Sequence, residues 1–389
     1  LVCLPANAVA SSEPWVVSIG DSAISGEGAR WAGNSNKSPD LIDALGPGAY
    51  FDNPDSSGEL INGCHRVRSA AIHIGESFAR SRNMACSGAF TSTVLKDRNG
   101  QFKPGLDFYD GPEGEGQLRE LRDFARTHSV KMVVVSIGGN DFEFGPVSIA
   151  CLSSYLSGLL VSNKGCRADK AVTRNFTSAN VAARTDDIRR AYLRVAQAMR
   201  EAGYRKSQYS IISLDYPALM PATGKLKYAD GTLRRQSVGG CGWSNADLEW
   251  ARANAFPAVT RAIDEAASVS GLPNLRRLRL VHQLKGHRLC ETGTSLVEDS
   301  PGSWRSEGAS DQAEWVNHIR TASTLFGPYQ ANEGFHPNYW AHLALRGCLR
   351  QVFRALSIER SPRSGYCLQK DKGLNSRGEP RMKLSEQPN

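Results

Sequence analysis

The run Lys131-Met132-Val133-Val134-Val135-Ser136-Ile137 limits the possible folds more than any other stretch. It is almost continuously apolar and β-branched, without the polar alternation of a strand that wets one face, so it reads as a strand covered on both sides. Such strands belong to parallel sheets, whose neighbours are reached through helical crossovers. Val16-Val17-Ser18-Ile19 and Tyr209-Ser210-Ile211-Ile212-Ser213-Leu214 have the same character, and Leu278 to His282 reads as a final strand. Between these runs apolar residues fall at helical spacing. Leu118, Leu121, Phe124 and Ala125 form one set; Ile188, Tyr192, Val195 and Met199 form another, with an N-cap at Thr185-Asp186-Asp187 and a stop at Gly203. Further helices are expected over Cys64 to Ala79, over Ser244 to Val269 with an interruption near Pro257, and from Leu343 to Leu356. Strand and helix alternate, which predicts an α/β chain with a central parallel sheet.

Nothing in the 389 residues resembles a linker. One domain is expected over residues 11–360, followed by a polar, basic tail over 361–389. Residues 1–10 contain small-x-small spacings (Ala6-Asn7-Ala8, Ala8-Val9-Ala10) and read as the remnant of an export signal. Cysteine usage agrees with an extracellular location. Setting Cys3 aside leaves Cys64, Cys86, Cys151, Cys166, Cys241, Cys290, Cys348 and Cys367, an even set without a C-x-x-C pair, as a disulfide framework requires. Proximity along the chain suggests pairing 64 with 86, 151 with 166, 241 with 290 and 348 with 367. The net charge of +8 favours anionic surfaces such as phospholipid, but no aromatics interleave with the basic residues, which argues against nucleic acid. No metal-binding or nucleotide-binding pattern occurs, so no cofactor is expected.

Two of the apolar runs, one short segment and one late loop end in polar tips. Gly20-Asp21-Ser22 follows the first strand, and in open α/β sheets the carboxyl ends of strands are where ligands bind. Asn83 to Gly88 runs into a glycine turn whose backbone N–H groups can approach a ligand closely. Gly138-Gly139-Asn140-Asp141 ends the Val133 strand and can aim an amide into a cleft. Glu333-Gly334-Phe335-His336-Pro337-Asn338 precedes the last helix. The excursion from Gly26 to Gly63, with Trp31, Tyr50 and Phe51, reads as a cleft wall.

These four blocks, in this order, resemble the SGNH (GDSL-type) esterases and lipases. Gly20-Asp21-Ser22-x-x-Ser25-Gly26-x-Gly28, with Cys64-x-Arg66, Ala85-Cys86-Ser87-Gly88 and Gly286-His287-x-x-Cys290, is most similar to their secreted actinobacterial branch; the likeness spans about residues 16 to 356. The resemblance implies a three-layer α/β/α sandwich and a carboxylic ester hydrolase. Ser22 would be the nucleophile and His336 the base, with an oxyanion hole from the N–H of Ser22, the N–H of Gly88 and the side-chain amide of Asn140. Glu333 stands where relatives carry the triad aspartate, and a backbone carbonyl is the alternative partner of the histidine. His65, His287 and His342 are expected to be structural. The expected substrate is a small-molecule or lipid ester, with peripheral contact to an anionic lipid surface and a monomeric chain. A carbohydrate O-acetyl esterase of the same fold and a non-catalytic lipid or polymer binder are the competing readings.

Overall fold

The structure, a computed structural model, describes residues 11–320, 327–357 and 364–388; the expected signal remnant lies outside the described residues. Among the described residues nine strands run β1 (Ser11–Gly20), β2 (Arg80–Asn83), β3 (Asp110–Gly111), β4 (Gly114–Glu115), β5 (His128–Ser136), β6 (Ser210–Leu214), β7 (Leu275–Arg279), β8 (Ser364–Leu374) and β9 (Pro380–Ser385). Seven of them form one sheet in the order β2-β1-β5-β6-β7-β8-β9. Every pairing in it is parallel except β8 with β9, while β3 and β4 make a separate small hairpin.

Alternation along the strands sorts the core into two halves. Val16, Met132, Val134, Ile212 and Leu214 face one side, where Leu345, Leu349 and Val352 of the Tyr339–Ser357 helix cover them together with irregular segments. Val17, Ile19, Val133, Val135 and Ile211 face the other, under the Gln117–Ala125, Ser178–Glu201 and Phe256–Val269 helices. The architecture is therefore a three-layer α/β/α sandwich, as expected.

Several elements depart from the sequence reading. The helix expected from a cap at Thr185 starts about two turns earlier, at Ser178. Its cap is Thr177, and Thr185 sits buried inside the helix with its hydroxyl donating back to the Val181 carbonyl at 2.9 Å, which hides its polarity. Residues 64 to 79 are not a helix. Cys64 is tied to Cys86, and the Arg66 guanidinium donates to the carbonyls of Met84 and Ala85, which pulls the segment into turns. The Ser244 to Val269 stretch is broken where expected: Asn245–Trp250 and Phe256–Val269 are joined by a π-turn over Ala251–Ala255, just before Pro257. The basic tail is not a tail. Ser364–Leu374 and Pro380–Ser385 form β8 and β9, and a disulfide from Cys367 to Cys348 fixes β8 to the last helix.

Four disulfides follow the sequential pairing: 64 with 86, 151 with 166, 241 with 290 and 348 with 367.

Candidate active site

The polar tips of β1 and β5 are locked side by side at the carboxyl edge of the sheet. Gly20 has a φ of +128°, and a Cβ there would lie 1.8 Å from the Ser136 carbonyl oxygen, so the approach of the two strand ends needs glycine. Gln117 closes the same point, accepting from Gly20 N–H at 2.7 Å and donating to the Gly20 carbonyl at 2.9 Å. Asp21 caps the short Ser22–Ser25 helix by accepting from Ala23 N–H at 3.1 Å. The Tyr216 hydroxyl, at the end of β6, donates to the Asp21 carboxylate and accepts from Gly139 N–H at 2.8 Å, joining the serine turn to the asparagine turn. Burial pushes the Asp21 carboxyl up to about 7 against the pull of Tyr216. Burial likewise raises Asp141 to about 6, although Thr91 donates to it at 2.6 Å.

Ser22 is half-buried, and its Oγ lies 2.8 Å from His336 Nε2, across 314 residues of sequence. His336 Nδ1 lies 3.2 Å from the Gly334 carbonyl. A carbonyl only accepts, so Nδ1 carries the proton and Nε2 is left to receive the proton of Ser22. Burial lowers the imidazole below its usual value, opposed by the charge of Glu27 and by the carbonyls of Gly334 and Asn332.

Glu333 is not the partner of this histidine. Its carboxylate is buried and accepts from the Tyr50 hydroxyl at 2.7 Å and from Gln330 N–H at 2.9 Å, which closes the turn before Gly334. Burial pushes it up from the ordinary carboxylate value. The carboxylate holds the loop, and the loop's own carbonyl orients the ring. Asn317 completes the clamp: its N–H donates to the His336 carbonyl at 3.0 Å, and its amide donates to the carbonyls of Gly28 and Glu333.

The remaining tips are tied to the end of β1 and to each other. Cys86 N–H donates to the Gly20 carbonyl at 3.0 Å, which brings Gly88, with its φ of +80°, beside the end of β1. The Asn140 amide donates to the Ala89 carbonyl at 2.8 Å, the residue next to Gly88. An amide has two N–H bonds, so one remains for a ligand oxygen. The structure thus gathers Ser22, His336, Gly88 and Asn140 at one edge.

Of the cleft-wall aromatics, Trp31 and Tyr50 are buried supports and Phe51 is exposed. His342 is fully buried, its pKa pushed down to about 3, chiefly by burial; His287 stacks on Trp315 at 4.0 Å and bonds the Ala313 carbonyl. Both are structural. His65 differs: its Nδ1 lies 2.6 Å from the buried carboxylate of Glu27, a pair the sequence reading missed. Tyr216 and Gln117 were missed as well. The visible signal for Tyr216 was its place directly after a buried strand. Among the described residues no cluster of His, Cys, Asp and Glu is arranged to hold a metal.

No profile of a known protein family matches the chain, and no curated protein does. Among solved structures it is similar to an extracellular lipase from Streptomyces rimosus, at 18% identity over 84% of this chain and 93% of that one, with a TM-score of 0.44. A phospholipase A1 from Streptomyces albidoflavus NA297 is similar at 18% identity over 85% and 95%, TM-score 0.47. A native aryl esterase of M. smegmatis is similar at 12% identity over 88% and 99%, TM-score 0.34. The functional reading is carried by the geometry of the serine, the histidine and their surroundings.

Proposed function

We propose that this chain is an SGNH-type serine hydrolase of carboxylic esters, acting outside the cell. The single observation that carries the reading is the 2.8 Å contact between Ser22 Oγ and His336 Nε2, with the histidine tautomer fixed from behind by the Gly334 carbonyl. In the reaction Ser22 Oγ attacks the ester carbonyl while its proton passes to His336 Nε2. The carbonyl oxygen, now an anion, is bound by the N–H groups of Ser22 and Gly88 and the free N–H of Asn140. His336 then returns the proton to the leaving alcohol, and water repeats the sequence on the acyl-enzyme.

Lipid esters fit the surface around the site. The Phe144–Gly158 helix starts at the asparagine turn, where Phe144 N–H donates to the Gly139 carbonyl at 3.1 Å. No charged residue occurs from Phe144 to Asn163, and Ile149, Leu160 and Val161 are 64%, 88% and 71% exposed. An exposed apolar stretch on the helix that leads away from the site suits docking on an aggregated, apolar substrate more than on a carbohydrate. The exposed Lys164, Lys170 and Arg174 that follow add attraction to an anionic surface.

Hydrolysis of p-nitrophenyl esters from acetate to palmitate by the oxidised protein tests the reading. Ser22→Ala should abolish turnover and keep the melting profile. Activity retained in Ser22→Ala, or absent on every ester in the folded protein, would overturn the proposal. Asn140→Ala should lower kcat by roughly a hundred- to a thousandfold, the worth of about 2.7–4 kcal/mol typical of one oxyanion donor, with KM nearly unchanged. A loss that appears only in KM would remove Asn140 from the oxyanion role.

A further inference from the structure

Among the described residues no carboxylate is in hydrogen-bond contact with the Ser22–His336 pair. The Nδ1 proton rests on the neutral Gly334 carbonyl, and Glu333 is engaged with Tyr50 and Gln330. Yet a positive imidazolium must form in a half-buried site each time the histidine takes the serine proton. Such a charge is costly without a negative partner.

Glu27 stands where that partner is needed. Its N–H donates to the Ser22 carbonyl at 3.3 Å, and the next residue, Gly28, packs so closely on the histidine loop that a Cβ there would lie 3.2 Å from His336 Cβ. The Glu27 carboxylate is fully buried. Its Oε2 is held by His65 Nδ1 at 2.6 Å, whereas Oε1 has no hydrogen-bond partner within bonding geometry. Besides His65, the His336 ring and the Ser87 hydroxyl act on this carboxylate, and Lys103, Tyr50 and Glu333 feel its charge. A fully buried carboxylate beside the histidine loop is costly to keep charged, and its two neighbours, His65 and the Ser87 hydroxyl, favour that charge.

We propose that Glu27 is the countercharge of the His336 imidazolium, acting through space in place of a contacting triad acid, with His65 holding it in position. The catalytic meaning of this assignment rests on the esterase reading given above. His65 lies between two carboxylates, Glu27 and Glu59, the latter 3.4 Å from Nε2, and stacks on Tyr50 with ring centroids 4.5 Å apart. Burial pushes the His65 ring down, but Glu27 and Glu59 outweigh it and hold its pKa above the usual value. The other groups around the cluster are Lys103, which burial pushes down while Glu27 and Glu59 pull it up, Glu333 and Tyr50, both pushed up chiefly by burial, and His342, pushed down to about 3 chiefly by burial.

The signs follow directly. Glu27 raises His336 and His65 lowers it. Glu27→Gln should therefore lower the His336 pKa by about one unit and lower kcat roughly tenfold. The acid limb of kcat/KM should move the same way, so that the variant keeps its activity to lower pH. His65→Gln removes a positive charge and should raise the His336 pKa and move the limb upward. Glu27→Asp should restore the wild-type limb in large part. The measurement is an NMR titration of the His336 ring in histidine-labelled wild type, Glu27→Gln and His65→Gln, beside the pH profiles. Opposite shifts from the two sides of one hydrogen bond support the proposal, because loosened packing would move both variants alike. Shifts of the same sign, or none in whichever of the two folds, overturn it. The titration needs no turnover, so a protein without esterase activity would sink the functional reading while the charge coupling is still measured.

Discussion

His336→Ala should lower kcat by roughly ten-thousandfold or more, while Glu333→Gln should stay within about tenfold of wild type on the same ester. The two residues lie three apart in one loop, and the contrast separates their jobs. Removing the imidazole removes the group that contacts Ser22 Oγ at 2.8 Å and can take its proton. Glu333 is bonded elsewhere; its carboxylate accepts from Tyr50 and Gln330 and so stiffens the turn that presents the Gly334 carbonyl. Glutamine keeps one acceptor oxygen, so part of that support survives. The cost should appear in stability, about 1–3 kcal/mol for the buried bond that is lost or mispaired. Steady-state kinetics and urea unfolding of both variants check this. A Glu333→Gln loss as deep as that of His336→Ala would make the carboxylate indispensable and refute the carbonyl-oriented dyad.

Gly20→Ala should be the most destabilising single methyl in the chain, on the order of 4 kcal/mol or more. Two costs add. At a φ of +128° an L-residue is strained, and the new Cβ would fall 1.8 Å from the Ser136 carbonyl, inside the pairing of two adjacent strands. Relief would require β1 and β5 to part, which would break the bond from Asp21 N–H to Ser136 and the double clamp of Gln117. The unfolding midpoint and the soluble yield of the oxidised variant report this. A stability within about 1 kcal/mol of wild type would show that the strand ends tolerate separation, since clashes of this kind normally cost several times more. By contrast, Gly203→Ala, whose Cβ would meet nothing within 4 Å, isolates the dihedral strain alone.

The parts of this protein that were legible in the sequence are those where local chemistry and tertiary environment agree. Val133, Val134 and Val135 are buried on alternating faces, so an unbroken apolar run was a reliable sign of a central parallel strand. Ser22, Gly88, Asn140 and His336 each end a local element with a polar tip, and the resemblance supplied their grouping. The C-terminal strands were illegible because Gly365 to Leu374 is largely polar: as a late strand with an outward face, β8 carries charges where a central one cannot. Residues 64 to 79 have helical spacing, but a disulfide and the Arg66 contacts override it. Glu333 sits at the expected offset from His336, yet offset does not tell where a side chain points. Tyr50, 283 residues away, decides that. The Glu27–His65 pair escaped for the same reason, since its partners are 38 residues apart in a stretch with no periodicity.

Ser22 and His336 are 314 residues apart, and a sheet of seven strands with β1 in its interior must close before they meet. During synthesis the serine leaves the ribosome long before its base, so the nascent chain exposes an ordinary, unreactive hydroxyl for most of its elongation. On the proposed mechanism, any fragment cut short of residue 336 lacks the base and should be inert toward esters whatever else it folds into. Contacts this remote in sequence also form slowly, because so much chain must be ordered to close them. If the proposed chemistry holds, reactivity is in this sense a late checkpoint of biogenesis, set only when residues 314 positions apart have met.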